Sequence, residues 1–296
     1  MKFKQQCTVD KVFDIVNYFL MFLSIVIFAY PLIYIVSASI SSPESLWAGK
    51  LWLLPKDISM AAYKSVFENS DIWLGYKNTI ILTVLGTAIS LVLTVMAAYP
   101  LANRDFMMRT PLTVIYMITM FFNGGMIPTF LVIQKLHMLD TIWALILPMA
   151  IGFSNVLIVR TYFQTTIPGE LREAALIDGC RHMRYLISVV LPLSMPVLAV
   201  MALFYGVSYW NSYFGAVIYI TDRNKYPLQM FLREILIKID MSKMVMPNSA
   251  AVNESVMLME TVKYAVIVVA SLPVLMIYPF VQKYFVKGVM IGAVKG

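Results

Sequence analysis

The chain has 296 residues, of which 60% are hydrophobic and 13% charged, and its mean hydropathy is +0.78. A soluble domain carries about 25% charged residues, so this composition excludes an ordinary soluble protein and predicts an integral membrane protein. Basic loops at a membrane surface explain the formal net charge of +7 better than nucleic-acid binding does.

Six apolar stretches reach the length of about 20 residues that crosses a bilayer. In chain order they cover residues 15–38, 79–98, 112–133, 142–159, 186–214 and 262–281. Pro192 and Pro196 predict a kink near the start of the fifth stretch. We therefore expect an all-α membrane protein with six transmembrane helices, in a single domain over residues 1–296.

A further helix is predicted at Pro227–Ile239, between the fifth and sixth stretches. The segment begins with Pro and repeats apolar residues at helical spacing. It is too short to cross a bilayer, and it contains Arg233, Glu234 and Lys238. We expect it to lie at the membrane surface or at the edge of a pore.

The loop charges predict that both termini lie in the cytoplasm. In that orientation the inner segments are residues 1–14, 99–111, 160–185 and 282–296. They hold 12 of the 23 Lys and Arg residues although their total length is shorter than that of the outer segments. The inner segments carry a net charge of +6 and the outer segments +1. Because basic residues accumulate in cytoplasmic loops, we expect a multi-pass protein of the cell membrane with lipid around its spans.

Motifs for catalysis are absent from the sequence. It contains no Walker A, H-E-x-x-H or G-x-S-x-G pattern, and its two histidines, His137 and His182, are far apart. Apart from Lys263 at the start of the sixth, the apolar stretches contain no Asp, Glu, Lys or Arg. A proton- or ion-driven carrier usually buries an ionisable residue. We therefore expect no catalytic, metal or cofactor site in this chain, and a partner protein as the energy source for any transport.

A charged island, Gly169–Tyr185 with the sequence GELREAALIDGCRHMRY, places six charged residues between apolar stretches. Each charge would cost about 2.5–3.5 kcal/mol at the membrane centre, so the segment must lie outside the lipid. Pro168 fits the first turn of a helix, and Gly179 can adopt the left-handed conformation that ends one. The pattern predicts two short helices joined by a turn, the second leading into the fifth span.

The residues alone leave two interpretations of this island open. It is a solvated loop whose charges keep it in water, or it is a docking surface. In the second case the small side chains of Ala174 and Ala175 let another protein approach closely, and Glu173 pairs with a basic residue of that protein.

The island resembles the E-A-A-x3-G-x9-I-x-L-P signature of permease subunits of ATP-binding-cassette importers. The signature falls here on Glu173, Ala174, Ala175, Gly179, Val189, Leu191 and Pro192, with Val189 in place of the usual Ile. Asp178 and Gly179 resemble the sugar branch, although Cys180 replaces its usual Ala. The resemblance covers nearly the whole chain, since Ser39–Phe67, Lys77–Thr79 and the tail GVMIGAVKG are also similar to the family.

The resemblance implies a type I ABC importer (MetI-like) permease fold with a cytoplasmic coupling helix within residues 169–185. It implies a second homologous permease subunit, two ATPase subunits that bind ATP and Mg, an extracellular solute-binding lipoprotein and a carbohydrate substrate. When the ATPase subunits close on ATP, they would push the coupling helix and switch the spans from inward- to outward-facing. The ATPase-coupling residues it implies are Arg172, Glu173, Ala174, Ala175, Asp178 and Gly179, with Lys295 and Gly296 of the tail.

The third apolar stretch is interrupted by the sequence FFNGGMIPTF at residues 121–130. Backbone groups released by such a break survive in a membrane only against protein or a watery cavity. Asn123, Gly124 and Gly125 therefore form either a helix end or a bend that lines a substrate path. The segment also resembles a sub-branch of sugar permeases that carries oligosaccharides, including uronic ones.

On the fifth stretch, Tyr205, Ser208, Tyr209 and Ser212 recur at helical spacing. Aromatic faces and hydroxyl groups suit a sugar path, but the same residue types form belts at membrane interfaces. Asn155 is a further candidate for the path, although an amide in a span usually pairs with a neighbouring helix. Our hypothesis is a non-catalytic permease subunit of an ATP-driven carbohydrate importer. An importer of another solute, and a self-contained carrier or channel, are the alternatives.

Overall fold

The structure, a computed structural model, describes residues 8–245 and 250–293. Within these ranges the only β contact is an isolated antiparallel bridge between Ser41 and Ile58. Short 3₁₀ turns cover Leu147–Met149 and Arg223–Lys225, and a π-helical turn covers Leu186–Val190. The α-helices are Thr8–Ser39, Pro43–Trp47, Ala61–Glu68, Ser70–Ala102, Arg109–Phe121, Met126–Lys135, Trp143–Ile146, Phe153–Thr166, Gly169–Ile177, His182–Tyr185, Leu191–Leu193, Met195–Trp210, Phe214–Tyr219, Leu228–Val245 and Ala250–Ala293.

The described residues provide up to six membrane spans. Three helices are each long and apolar enough to cross: Lys11–Ser39, Ser70–Ala102 and Val256–Phe280, which we call spans 1, 2 and 6. Three bent pairs meet the same criteria as units, and we call them spans 3, 4 and 5: Arg109–Phe121 with Met126–Lys135, Trp143–Met149 with Phe153–Thr166, and His182–Leu193 with Met195–Trp210. The expected all-α membrane fold is confirmed. The helix predicted from Pro227 begins at Leu228 and is not among the candidate spans.

The bends fall where the sequence interrupts the helical hydrogen bonds. Span 3 turns by 115° across the Asn-Gly-Gly segment, and span 5 turns by 82° at Ser194, between two prolines. Proline lacks the backbone N–H that an intact helix requires. Span 4 turns by 53° beside Gly152, a bend that the sequence analysis did not predict.

The described residues belong to two compact units, Met1–Ser70 with Leu232–Leu272, and Asp71–Phe231 with Pro273–Gly296. In the first unit, the loop after span 1 folds back onto the end of that span. Ser37 Oγ donates a hydrogen bond to the Leu53 carbonyl at 2.6 Å, and the Lys56 backbone N–H donates to Ser41 Oγ at 3.1 Å. These bonds hold the loop against the last turns of span 1.

In the second unit, the apolar core lies between spans 2, 4 and 5. Leu82 and Leu101 of span 2, Val156 of span 4 and Met201 of span 5 are each at most 1% exposed. This unit contains the charged island and both candidate path segments of the sequence analysis.

Asp140 fastens the loop before span 4 to the segment that follows helix Phe214–Tyr219. Its carboxylate accepts hydrogen bonds from the backbone N–H groups of Thr221 and Asp222, at 2.5 and 2.9 Å, and from the Thr221 hydroxyl at 2.8 Å. The bond from the Asp222 backbone and those from Thr221 favour the ionised carboxylate and lower the pKa of Asp140. Asp140 also donates its own backbone N–H to the Tyr219 carbonyl at 2.9 Å.

Spans 2 and 5 approach closely at Gly86, where a Cβ atom would lie only 2.7 Å from the ring of Tyr209. The Tyr209 hydroxyl lies 2.9 Å from Ser90 Oγ, and the Tyr205 hydroxyl lies 2.7 Å from Thr94 Oγ1. Positions 86, 90 and 94 are four residues apart and therefore share one face of span 2. This face holds span 5 by shape and by hydrogen bonds.

We expect Gly86→Ala to destabilise the protein, because the added methyl group overlaps the Tyr209 ring. Overpacking of this kind typically costs about 1–3 kcal/mol. Gly206→Ala is the matched control, since the nearest side-chain atom to its Cβ would be 3.7 Å away. The melting temperature of the detergent-purified protein measures both effects, and equal melting temperatures for the two variants would contradict the prediction.

Candidate functional site

The first helix of the charged island, Gly169–Ile177, has defined ends. Pro168 is its capping residue, one position before the first turn in which the sequence analysis placed it. At the other end, the Cys180 N–H donates to the Ala175 carbonyl at 2.8 Å and the Gly179 N–H to the Leu176 carbonyl at 3.0 Å. Gly179 has φ +68°, so this is a Schellman motif that requires a left-handed residue. The helix–turn–helix prediction is confirmed.

Arg172 fastens this helix to the loop between spans 2 and 3. Its guanidinium donates to Asn103 Oδ1 and, at 2.8 Å, to the Asp105 carboxylate. Asn103 Oδ1 also accepts the Asp105 backbone N–H at 3.1 Å, which orders the loop. One helix earlier, Gln164 Nε2 donates to the Ala102 carbonyl at 3.1 Å. The Arg172 side chain is therefore engaged within its own chain, by the loop after span 2.

The opposite face of the helix is open to solvent. Glu173 and Ala174 are exposed, and the apolar side chain of Ile177 is 88% exposed. Ala175 is half-buried and packs against the core of the unit, and Asp178 is exposed at the helix end. A charged helix therefore presents an isoleucine and an alanine to solvent beside a glutamate, an arrangement that a purely solvating loop does not need.

A cavity of about 590 Å³ lies between this helix and the end of span 2. Side chains of both signs line it, including Arg104, Arg109, Arg172, Asp105 and Glu173. Its floor is formed by side chains of spans 2, 4 and 5, among them Tyr99, Phe163 and Tyr185.

The second helix of the island begins at His182 and continues as the first part of span 5, without a break, as far as Leu193. Tyr185 and Leu186 are buried, and Tyr99 Oη donates to the His182 carbonyl at 3.3 Å. Val189, at the signature position usually held by Ile, is half-buried against the core. The second helix of the island is therefore the beginning of span 5 itself.

The interruption of span 3 leaves Asn123, Gly124 and Gly125 exposed. Asn123 Oδ1 accepts the Gly125 N–H at 2.9 Å, and Gly125 has φ +89° at the start of helix Met126–Lys135. The segment is thus a sharp, self-bonded turn whose polar groups remain accessible.

The polar stripe on span 5 divides into buried and accessible residues. Tyr205 and Tyr209 are 4% and 1% exposed, and their hydroxyls pair with span 2. Ser208 is exposed and Ser212 half-buried, and Asn155 of span 4 is half-buried. The two rings contribute to helix packing in this structure, and only the serines of the stripe are open to solvent.

Lys295 and Gly296 lie outside the described residues. Among the residues that the structure describes, no group of three or more His, Cys, Asp or Glu side chains could hold a metal ion. Three residues of this site were not predicted from the sequence: Asn103 and Asp105, which bind Arg172 of the island, and Gln164, which ties the preceding helix to the end of span 2. The polar sequence Asn-Arg-Asp directly after span 2 was the one available signal.

Several known proteins are similar to this chain. It is 42% identical, over 97% of its length and 99% of the relative, to "Polygalacturonan/rhamnogalacturonan transport system permease protein YtcP" of Bacillus subtilis (strain 168). It is 43% identical to "Protein LplC" of the same organism, over 97% of this chain and 96% of the relative. A crystal structure of a bacterial ABC transporter involved in the import of the acidic polysaccharide alginate contains a similar chain, with a TM-score of 0.85 and 35% identity over 96% of this chain and 100% of that one.

Residues 90–291 match the family described as "Binding-protein-dependent transport system inner membrane component". The match covers more than half of the chain, and the relatives agree with it along nearly the whole length. The chain therefore belongs to this family of ABC transporter permeases, the non-catalytic membrane subunits of transport complexes.

Proposed function

We propose that this chain is the permease subunit of an ATP-driven importer of acidic oligosaccharides, with both termini in the cytoplasm and the whole chain acting as one transmembrane domain. It works with a second permease, two ATPase subunits and an extracellular solute-binding protein. The observation that carries this proposal is the helix Gly169–Ile177, which holds the Glu-Ala-Ala part of the family signature, exposes an apolar and acidic face, and is joined by the turn at Gly179 to the start of span 5.

The proposed coupling step uses both faces of that helix. The exposed face, with Glu173, Ala174 and Ile177, enters a cleft of an ATPase subunit. The other face is tied by Arg172 to the loop after span 2. When the ATPase subunits close on ATP, the helix moves, and the ends of spans 2 and 5 move with it. Gly179 keeps the turn tight, and the tail residues Lys295 and Gly296 reach the ATPase interface.

We expect Glu173→Lys to abolish solute-stimulated ATP hydrolysis while membrane insertion stays intact. Glu173 is exposed and has no ion pair among the described residues, so the charge reversal acts on a partner and not on the fold. The measurement is ATP hydrolysis by the complete complex in lipid vesicles, with and without solute.

The matched control is Glu68→Lys, the same charge reversal at an exposed residue of the loop between spans 1 and 2, whose one ion pair among the described residues is with Lys64 at 3.9 Å. This variant should retain full stimulation, because exposed pairs of this kind contribute little. Wild-type stimulation in Glu173→Lys would remove the docking role from this helix.

The acidic substrate class is supported by two independent likenesses. One relative is named for polygalacturonan and rhamnogalacturonan, and the similar crystal structure belongs to a transporter of the acidic polysaccharide alginate. The six apolar stretches of this chain contain no Asp or Glu, so no carboxylate within them repels a uronate chain.

The complete complex should import a short oligogalacturonate at least about tenfold faster than a neutral maltooligosaccharide of equal length, a preference of about 1.4 kcal/mol. Uptake of radiolabelled sugars into vesicles that contain ATP measures the preference. Equal rates, or faster uptake of the neutral sugar, would replace the acidic class by a neutral one without affecting the coupling mechanism.

The proposed substrate path is lined by the accessible polar groups of spans 3, 4 and 5. Ser208 and the turn Asn123–Gly125 are exposed, and Asn155 and Ser212 are half-exposed. Tyr205 and Tyr209 support this path from behind, since their packing against span 2 fixes the side of span 5 that Ser208 occupies.

We expect Ser208→Trp to reduce uptake at least about tenfold in a complex that assembles normally, because a large side chain obstructs the path without entering the core. Tyr209→Phe should instead lower the melting temperature with little effect on uptake, because it leaves Ser90 and its buried hydroxyl without a partner. Uptake and melting are measured on both variants. Normal uptake by Ser208→Trp would place the path elsewhere.

A further inference from the structure

Arg109 and Arg160 lie level with each other on neighbouring antiparallel helices of spans 3 and 4. The rings of Tyr116 and Phe153 stack at 5.4 Å and fix the register of these helices. Arg109 is seven residues before Tyr116, and Arg160 is seven residues after Phe153. Seven residues are two helical turns, about 10.5 Å, so the two arginines stand at the same height and their positive charges repel each other.

The carboxylates of this unit do not neutralise the two arginines. The sequence of the unit contains seven: Asp71, Asp105, Asp140, Glu170, Glu173, Asp178 and Asp222. Four of them are engaged elsewhere: Asp71 with Arg223, Asp105 with Arg172, Asp140 with the Thr221–Asp222 backbone, and Asp222 with Lys225. The other three are exposed on the charged island and form no ion pair with a described arginine. Glu173 and Arg109 line the same cavity without pairing.

Burial makes the missing anion significant. Both arginines are half-buried, and the Nε–H of Arg160 is inaccessible to solvent and has no hydrogen-bond partner among the described residues. An unsatisfied buried donor on a charged group is strongly unfavourable. A second cation beside it increases the penalty, and an anion bound next to the pair would offset the two positive charges.

The height of the pair matches the lipid headgroup layer. Arg160 directly follows the fourth apolar stretch, which ends at Val159, and Arg109 stands three residues, about 4.5 Å of helix, before the third, which begins at Leu112. The headgroup layer is about 5–7 Å thick on each side of the hydrocarbon. The island itself must lie in water, so the pair sits between the water and the lipid tails.

We propose that Arg109 and Arg160 form a binding site for an anionic phospholipid in the leaflet on the side of the charged island. The phosphodiester oxygens accept hydrogen bonds from the two half-exposed guanidinium groups, and their negative charge offsets the repulsion between the two arginines. Planar guanidinium groups match phosphate geometry, and basic pockets between spans recruit such headgroups. The site is independent of the transported solute and of the docking of an ATPase.

The test uses the purified transport complex and four additions: phosphatidylglycerol, the zwitterionic phosphatidylcholine, inorganic phosphate, and detergent alone. Phosphatidylglycerol should raise the melting temperature of the wild-type protein, and neither phosphatidylcholine nor inorganic phosphate should. In Arg160→Gln and Arg109→Gln the concentration of phosphatidylglycerol that gives half the effect should rise at least about tenfold. The two variants provide independent readings if one of them fails to fold.

The matched control is Arg184→Gln, which removes an exposed arginine of the charged island and should keep the wild-type response to phosphatidylglycerol. A wild-type response in both Arg160→Gln and Arg109→Gln would overturn the proposal. An equal response to inorganic phosphate would reassign the pair to a soluble anion. Loss of the ATPase subunits from Arg160→Gln, with an unchanged lipid response, would instead assign the pair to a carboxylate of that partner.

Discussion

The close contact of Gly86 with the Tyr209 ring holds span 5 to span 2, and the coupling geometry depends on it. Span 2 ends at Ala102, where the next loop receives Gln164 and Arg172. Span 5 begins inside the charged island. The island is thus bonded to the loop after span 2, that loop continues from span 2, span 2 packs against span 5, and span 5 begins in the island. A packed core does not deform gradually, so in the proposed coupling step a push on the island would displace the ends of both spans.

The position of the bends follows from the same need to satisfy backbone hydrogen bonds inside a membrane. Spans 3 and 5 break at Gly-Gly and between two prolines, and in each case the chain supplies a replacement acceptor or a short turn. At the start of span 5 a π-helical turn precedes Pro192, which absorbs the missing donor without opening the helix to lipid. These breaks divide the spans into shorter helices, each of which can move as a rigid body.

Sequence alone predicted local features well, because the signals for them are local. The two helices of the island, the left-handed Gly179 and the interruption before Met126 all follow from residues within a few positions. It did not predict that Tyr205 and Tyr209 are buried, since helical spacing gives a shared face but not the neighbour that covers it. Nor did it find the partners of Arg172, because Asn103 and Asp105 are 69 and 67 residues away in the chain.

The distribution of charge explains why this subunit transmits work and does not generate it. Its apolar stretches hold almost no ionisable residue, so no group in mid-membrane can couple to a proton or ion gradient. The charged residues discussed above stand near the ends of the spans, where Arg172 ties its helix to the loop after span 2 and Arg109 and Arg160 form the proposed lipid site. In the proposed mechanism, energy enters as a displacement of those ends. The helix Gly169–Ile177 is bonded to its own chain on one face and exposed on the other, which suits it to receive such a displacement from a partner.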